Sequence, residues 1–144
     1  MKALLFILLS VVSFGGLAKY NLSGVWVGVF SYEQTDGMPP ESFTLVLKEN
    51  KNFLTGMITE PNEGANSDSG VFVADVSGFV SNKTVIFTKQ YQAGQSRNHS
   101  VTYELTIESP GFLVGSWKIN NKRGGRAALM ALSGPFLYEE LLAQ

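Results

Sequence analysis

Most of this chain is divided into short segments in which apolar residues recur at every second position. The clearest is the segment at residues 101–107, where Val101, Tyr103, Leu105 and Ile107 alternate with polar residues. A period of two is typical of a β-strand with one buried face. No segment between the strands has a helical period, so a parallel sheet with helical crossovers is not expected. The pattern predicts an all-β protein.

The lengths of the connections predict how the strands are arranged. We predict strands at residues 22–32, 43–48, 53–60, 70–80, 84–91, 101–108, 112–119 and 126–132. Long polar connections alternate with tight turns, the long ones lying at residues 33–41, 61–69, 92–98 and 120–125. In an up-and-down barrel, every second connection lies at the same end. The sequence therefore predicts an eight-stranded antiparallel barrel with its long loops around an open mouth.

The chain begins with a segment that does not follow the strand pattern. Residues 3–14 form an apolar run of twelve, and Gly16 and Ala18 are small residues at the positions that a signal peptidase reads. A membrane anchor is the alternative, but this run is shorter than the roughly 20 residues that span a bilayer. We expect residues 1–18 to be a signal peptide and residues 19–144 to be one β-barrel domain of a secreted or periplasmic protein.

The last segment of the chain has features of a helix. Ser133 is a candidate N-cap, Pro135 falls in the first turn that would follow, and residues 136–142 combine apolar residues with an acidic pair. We predict a short C-terminal helix packed on the barrel wall. A frayed tail is the alternative.

Composition narrows the classes of function. The chain has 11 Lys and Arg against 12 Asp and Glu, which gives no long-range attraction for nucleic acid or anionic lipid. It has no cysteine, so disulfides, thiolate metal sites and cysteine nucleophiles are excluded. His99 is its single histidine, which excludes a metal site of several histidines. We predict no nucleic-acid partner, no membrane span, no metal and no cofactor.

Catalytic motifs are also missing from the sequence. It contains no nucleophile elbow, phosphate loop or metalloprotease motif. We therefore predict a non-enzymatic protein with no catalytic residue. The alternative is a pair of carboxylates, because Asp75 interrupts an apolar strand and Glu104 lies on another. A glycosidase would need two such groups about 5–10 Å apart in a cleft.

The predicted mouth carries charges of both signs. Its first and third connections hold acidic residues, namely Glu33, Asp36, Glu41, Glu63 and Asp68, with Glu60 at the edge. Its fifth and seventh hold basic residues, namely Arg97, His99, Lys122 and Arg123, with Arg126 adjoining. Facing arcs of opposite sign would orient a polar ligand or a partner protein. The alternative is that these are solvated loop charges that balance one another.

Glycines and aromatic residues suggest what the barrel interior holds. Five glycines fall inside predicted strands: Gly24, Gly28, Gly56, Gly78 and Gly115. They either enlarge the interior or relieve the curvature of the barrel. The aromatic residues of the strands are candidate lining, although most belong to the core: Trp26, Phe30, Tyr32, Phe87, Tyr91, Tyr103 and Trp117. Among them we select Tyr32, Tyr91, Tyr103 and Trp117 as the candidate ligand-binding residues.

The first strand resembles that of a known group of barrels. Gly24-Val25-Trp26, followed by a long loop, is similar to the Gly-x-Trp opening of lipocalins and, more loosely, of avidins, which are calycin-type barrels. In lipocalins this tryptophan closes the barrel floor beneath an arginine from the last strand. The resemblance implies that Gly24, Trp26 and Arg126 form the barrel closure here.

A second motif is similar to one in avidins. Gly115-Ser116-Trp117 matches the tryptophan-bearing late strands of that family. The polar Asn/Ser cluster that follows the first tryptophan in avidins is absent, so biotin is not an expected ligand. Small periplasmic barrels that inhibit secreted metalloproteases also open on a Gly-x-Trp strand.

Two functional hypotheses follow from these features. The first is an exported, non-enzymatic barrel that binds a small apolar or amphipathic molecule through its mouth. The alternative is a protein-binding module, such as a periplasmic protease inhibitor, that uses residues 19–22 or the mouth loops against a secreted protein. We expect Trp26 to be a structural plug at the closed end and Trp117 to lie nearer the ligand. A hollow interior would favour the first hypothesis.

Overall fold

The protein is an eight-stranded barrel in which each strand pairs with the next along the chain. A computed structural model describes residues 20–33, 37–62 and 70–134. Its strands are β1 (Gly24–Tyr32), β2 (Glu41–Asn50), β3 (Phe53–Pro61), β4 (Val71–Ser81), β5 (Thr84–Tyr91), β6 (Ser100–Ser109), β7 (Phe112–Ile119) and β8 (Arg123–Ser133). The predicted signal peptide and C-terminal helix lie outside the described residues.

Pairing of the first strand with the last closes the barrel. All eight neighbouring pairs are antiparallel, and β1 lies beside β8 with Val29 opposite Ala128. The predicted eight-stranded up-and-down antiparallel barrel is confirmed. Within the residues that the structure describes, no helix has the length and apolarity needed to cross a membrane.

Alternation along the strands separates the inside of the barrel from its outer surface. On β2, Phe43, Leu45 and Leu47 are buried, whereas Val46, between the last two, and Lys48, after them, are exposed. This is the expected result of a strand whose successive side chains point to opposite faces. The interior therefore contains the buried members of every strand.

The two ends of the barrel differ in their connections. At the closed end the strands are joined by tight turns, and Lys51, Asn52, Asn82 and Gly111 adopt the positive φ angles that such turns require. At the mouth end, three connections are long, at residues 33–40, 62–70 and 92–99. These three match the predicted long loops.

The predicted long connection at residues 120–125 is wrong. β8 begins at Arg123, so a tight turn joins it to β7. Gly125 lies within β8, at a position where the neighbouring atoms leave no room for a side chain. A Cβ atom there would lie 1.7 Å from the carbonyl oxygen of Ser31 and 2.8 Å from the indole nitrogen of Trp117. The glycines that resembled a loop in the sequence instead allow β8 to pack closely.

Side chains fill the closed half of the barrel. Trp26, Leu45 and Leu129 are fully buried there. Gly28 does not enlarge the interior, because a Cβ atom on it would lie 2.1 Å from the ring of Phe43, which occupies that space. A Cβ atom on Gly56, Gly78 or Gly115 would lie 2.1–2.2 Å from a backbone oxygen of the neighbouring strand. These glycines fit the second interpretation, in which they allow the strands of a curved wall to approach.

Candidate ligand-binding site at the barrel mouth

A cavity of about 250 Å³ occupies the mouth half of the barrel. Its wall combines aromatic, apolar and charged side chains: Phe30, Tyr32, Met38, Glu41, Lys89, Tyr91, Arg97, His99, Val101, Tyr103, Trp117, Ile119 and Arg123. A second cavity of about 550 Å³ adjoins it and shares Met38, Glu41 and Arg97. The mouth is therefore hollow where the closed half is filled.

Three aromatic rings of β1 and β7 form one side of the cavity. The Trp117 ring lies edge-on to Tyr32 and to Phe30, with centroid distances of 5.1 and 5.6 Å. Its indole nitrogen donates a hydrogen bond to the carbonyl oxygen of Ser31 at 3.0 Å. Edge-to-face packing and this hydrogen bond hold the indole in a fixed orientation. This wall is therefore rigid and largely apolar.

A buried ionic cluster forms the opposite side. Lys89 and Glu60 are each only 2% exposed, and the Lys89 ammonium forms an ion pair with the Glu60 carboxylate. The Tyr91 hydroxyl donates to the same carboxylate and accepts from Lys89 at 2.9 Å. Arg97 donates to Glu60 at 3.1 Å and to the Tyr91 oxygen at 3.2 Å. Two cations and one tyrosine thus surround one carboxylate.

The strand pattern explains why these charges lie inside the barrel. On β5, Lys89 is in phase with the buried residues Val85, Phe87 and Tyr91. Glu60 is likewise in phase with buried Ile58 on β3. An interior position near the end of each strand therefore carries a charge where an apolar residue would be usual.

Burial changes the acid–base properties of the cluster. Loss of hydration lowers the pKa of the Lys89 ammonium, and the neighbouring Glu60 carboxylate opposes this shift. Burial, reinforced by Glu60, raises the pKa of the Tyr91 hydroxyl well above its ordinary value. Tyr91 therefore stays protonated at neutral pH and keeps donating to Glu60.

At the rim of the cavity, further charges are held by aromatic and acidic neighbours. Arg97 reaches the Glu41 carboxylate at 3.8 Å, and the Tyr32 hydroxyl donates to Glu41 at 3.1 Å. The Arg123 guanidinium lies 4.7 Å from the centre of the Tyr32 ring, a cation–π contact. His99 lies edge-on to Tyr91, and burial together with Lys89 and Arg97 lowers its pKa.

The four candidate ligand-binding residues meet in this one cavity. Tyr32, Tyr91, Tyr103 and Trp117 come from four different strands and all contribute to its wall. Their role as ligand contacts stays a prediction. Lys89 was not among the candidates, and the depth of Glu60 was not anticipated. The signal that would have identified Lys89 is its phase with the apolar positions of β5.

The residues proposed for barrel closure are only partly brought together. Trp26 is fully buried toward the closed end, and its indole nitrogen donates to the carbonyl oxygen of Leu22 at 3.0 Å. Gly24 lies near it on the same strand. Arg126, however, is exposed and stands opposite Ser31 on β1, five positions from Trp26. The structure therefore does not place Arg126 over Trp26, because the β1–β8 register carries it toward the mouth.

Three of the predicted mouth charges meet as ion pairs. Arg97 contacts both Glu41 and Glu60, so these three groups are not simply solvated loop charges. Asp36, Glu63 and Asp68 lie outside the described residues.

The structure does not bring the two carboxylates of the enzymatic alternative into a cleft. Asp75 and Glu104 are both exposed on the outer face of their strands. Asp75 accepts a hydrogen bond from Gln92 at 2.9 Å. In the described ranges, no group of three or more His, Cys, Asp and Glu side chains is arranged to hold a metal ion.

In comparisons with known proteins, no family model matches the chain and no curated protein shows significant similarity to it.

Proposed function

We propose that this protein binds a small apolar or amphipathic molecule in the mouth cavity of a calycin-like barrel, without catalysing a reaction. The observation that carries the proposal is the convergence of four aromatic residues from four strands on one cavity. Such binding sites are concave and mostly apolar, with a few placed polar groups. Export to the periplasm or the cell exterior is part of the proposal and rests on the sequence of residues 1–18.

The size of the cavity limits the ligand. Pockets for drug-sized ligands measure about 300–1,000 Å³, and the inner cavity here is smaller, at about 250 Å³. An apolar cavity of roughly 150 Å³ is enough to hold one benzene molecule. A single ring or a short chain with a polar head group therefore fits the inner cavity.

Within residues 19–22, the first contact region of the protein-binding alternative, Leu22 is not accessible to a partner. Leu22 is 1% exposed. Its backbone nitrogen donates to Glu49 at 2.8 Å, and its carbonyl oxygen accepts from Trp26. The mouth cavity therefore gives small-ligand binding more support than protein binding through Leu22.

A pair of matched variants tests the proposal. Val101 lines the cavity, so Val101→Phe adds a ring to the space that a ligand would use. Val46 is 48% exposed on the outer wall, so Val46→Phe adds the same ring outside the barrel. Binding is measured by ligand-observed NMR and calorimetry with benzyl alcohol, hexanoate and 3-phenylpropanoate.

We expect at least one of these compounds to bind with one-to-one stoichiometry. Val101→Phe weakens that binding at least tenfold, because the added ring occupies the cavity, and Val46→Phe leaves it unchanged. If none of the compounds binds, or if Val101→Phe has no effect, the proposed function is wrong.

A further inference from the structure

One buried polar group in the cavity wall has no hydrogen-bond partner among the residues that the structure describes. Tyr103 is 1% exposed and stacks on Phe87 with a centroid distance of 4.8 Å. Its hydroxyl forms no hydrogen bond with any group in the described part of the chain. Buried hydroxyls are normally paired, and leaving one unpaired costs stability. A group bound in the cavity would supply the partner that the Tyr103 hydroxyl lacks among the described residues.

The Lys89 ammonium has an unused donor at the same cavity. It carries three N–H groups. One donates to the Glu60 carboxylate and a second to the Tyr91 oxygen. The third has no oxygen acceptor among the described residues, and the ammonium lies 4.6 Å from the centre of the Tyr91 ring and 6.0 Å from that of Tyr103 at the cavity. Lys89 and Tyr103 together thus offer two donors to a bound group.

The charges at the cavity favour an anion. Three cations and one carboxylate line the cavity, namely Lys89, Arg97, Arg123 and Glu41. A second carboxylate, Glu60, forms ion pairs with Lys89 and Arg97. One positive charge is therefore in excess. Among the described residues, Arg123 forms no ion pair. A single negative charge on the ligand would balance the site.

We infer that the ligand is a compact monocarboxylate, with its carboxylate bound by the Lys89 ammonium and the Tyr103 hydroxyl and its apolar body against Tyr32 and Trp117. This inference rests on the proposed function, since it names the chemistry of the ligand that the cavity takes. A carboxylate accepts hydrogen bonds through both oxygens, which matches two donors on one wall. The apolar body then faces the edge-packed aromatic wall.

Three compounds that differ only in their head group test this inference. They are 3-phenylpropanoate, the neutral 3-phenylpropanamide and the cationic 3-phenylpropylamine, measured by calorimetry against the full chain at pH 7.5. Hydrogen bonds to a charged group are about 1.5–3 kcal/mol each, so we expect the carboxylate to bind about ten- to a hundredfold more tightly than the amide. The amine binds most weakly of the three. An amide or amine that binds as tightly as the carboxylate overturns the inference.

Tyr103→Phe removes the hydroxyl and keeps the ring. We expect it to weaken binding of 3-phenylpropanoate about tenfold. The free protein becomes no less stable, because the variant removes an unpaired group. The control is Tyr20→Phe, since Tyr20 packs against the core away from the cavity and should leave affinity unchanged. Unchanged affinity in Tyr103→Phe contradicts the inference.

A double variant tests the contribution of the ammonium. Lys89→Met combined with Glu60→Gln removes both charges of the buried pair, so no unpaired carboxylate is left behind. The preference for carboxylate over amide should fall about tenfold in this protein, while the Tyr103 hydroxyl and Arg123 retain the remainder. An undiminished preference contradicts the role of Lys89. If the double variant does not fold, Tyr103→Phe and the three compounds still decide the question.

These measurements also separate the inference from the proposed function. Equal binding of all three compounds, still abolished by Val101→Phe, retains the ligand-binding cavity and rejects the carboxylate. Absence of binding by every compound, including benzyl alcohol and hexanoate, rejects both.

Discussion

The closed half and the mouth half of this barrel are built from the same strands with opposite chemistry. On β5, Val85 and Phe87 are buried in apolar surroundings, and two positions later Lys89 is equally buried beside a carboxylate. On β3, Ile58 precedes Glu60 in the same way. The inward-facing positions of each strand therefore form the filled core in the closed half and the ionic wall of the cavity in the mouth half. The closed half gives stability, and the mouth half gives a site in which no described residue pairs with the Tyr103 hydroxyl.

The largest expected effect is in the closed half. Trp26→Ala should lower the free energy of unfolding by about 3–5 kcal/mol, because it leaves a large void among fully packed side chains. Urea unfolding followed by circular dichroism measures this change. A loss below about 1 kcal/mol would mean that the closed half relaxes around the void and is not the stabilising region.

The ionic cluster gives the corresponding test in the mouth half. Glu60→Gln leaves the buried Lys89 ammonium without its carboxylate, so the free energy of unfolding should fall by about 3 kcal/mol. Combining it with Lys89→Met should recover much of this loss, since the second substitution removes the unpaired ammonium. The same unfolding assay measures both proteins. A double variant that is less stable than Glu60→Gln would argue against this account.

Fluorescence distinguishes the two halves without changing stability greatly. In the single-tryptophan variants Trp26→Phe and Trp117→Phe, titration with 3-phenylpropanoate should change the emission of Trp117 and leave that of Trp26 nearly constant. Trp117 lines the cavity, whereas Trp26 is buried toward the closed end. The opposite ranking would mean that the ligand enters from the other end of the barrel.

The smallest expected effect is a pH dependence at the mouth. The pKa of His99 lies below its ordinary value of 6.5 because of burial and nearby cations. As the pH falls below that value, the unfolded chain takes up a proton before the folded protein does, so the free energy of unfolding decreases. His99→Gln should make this decrease between pH 7.5 and 5.5 shallower. Identical pH profiles for the two proteins would show that His99 is not perturbed.

Strands bounded by clear turns could be predicted from the sequence. The bounds of β5 and β7 match the prediction, because regular alternation ends there at Asn, Lys, Pro or Gly turn residues. The start of β8 was missed because Gly124 and Gly125 are typical of a loop. Glycine is needed at these positions because the backbone of Trp117 lies against Gly124 and its indole against Gly125, and these groups are close only in the folded barrel.

The site could be predicted only in part for a similar reason. Aromatic residues inside predicted strands are candidate lining, and this selects Tyr91 and Tyr103, while phase along a strand indicates which side chains face inward. It does not show which inward groups meet across the barrel. Glu60 and Lys89 are separated by 29 residues and lie two strands apart, so their contact depends on curvature and closure. The position of Arg126 depends on the β1–β8 register, which the sequence does not specify.

Closure of the barrel also has a kinetic consequence. Seven of the strand pairs join neighbours along the chain, whereas β1 meets β8 through contacts such as Val25 with Ser133, 108 residues apart. Contacts of such high sequence separation carry the largest loop-closure entropy and form slowly. The cavity wall crosses this seam, because Tyr32 belongs to β1 and Arg123 to β8. A ligand that binds only after the seam has formed stabilises the closed sheet over the open one, so saturating ligand should slow the opening of the barrel.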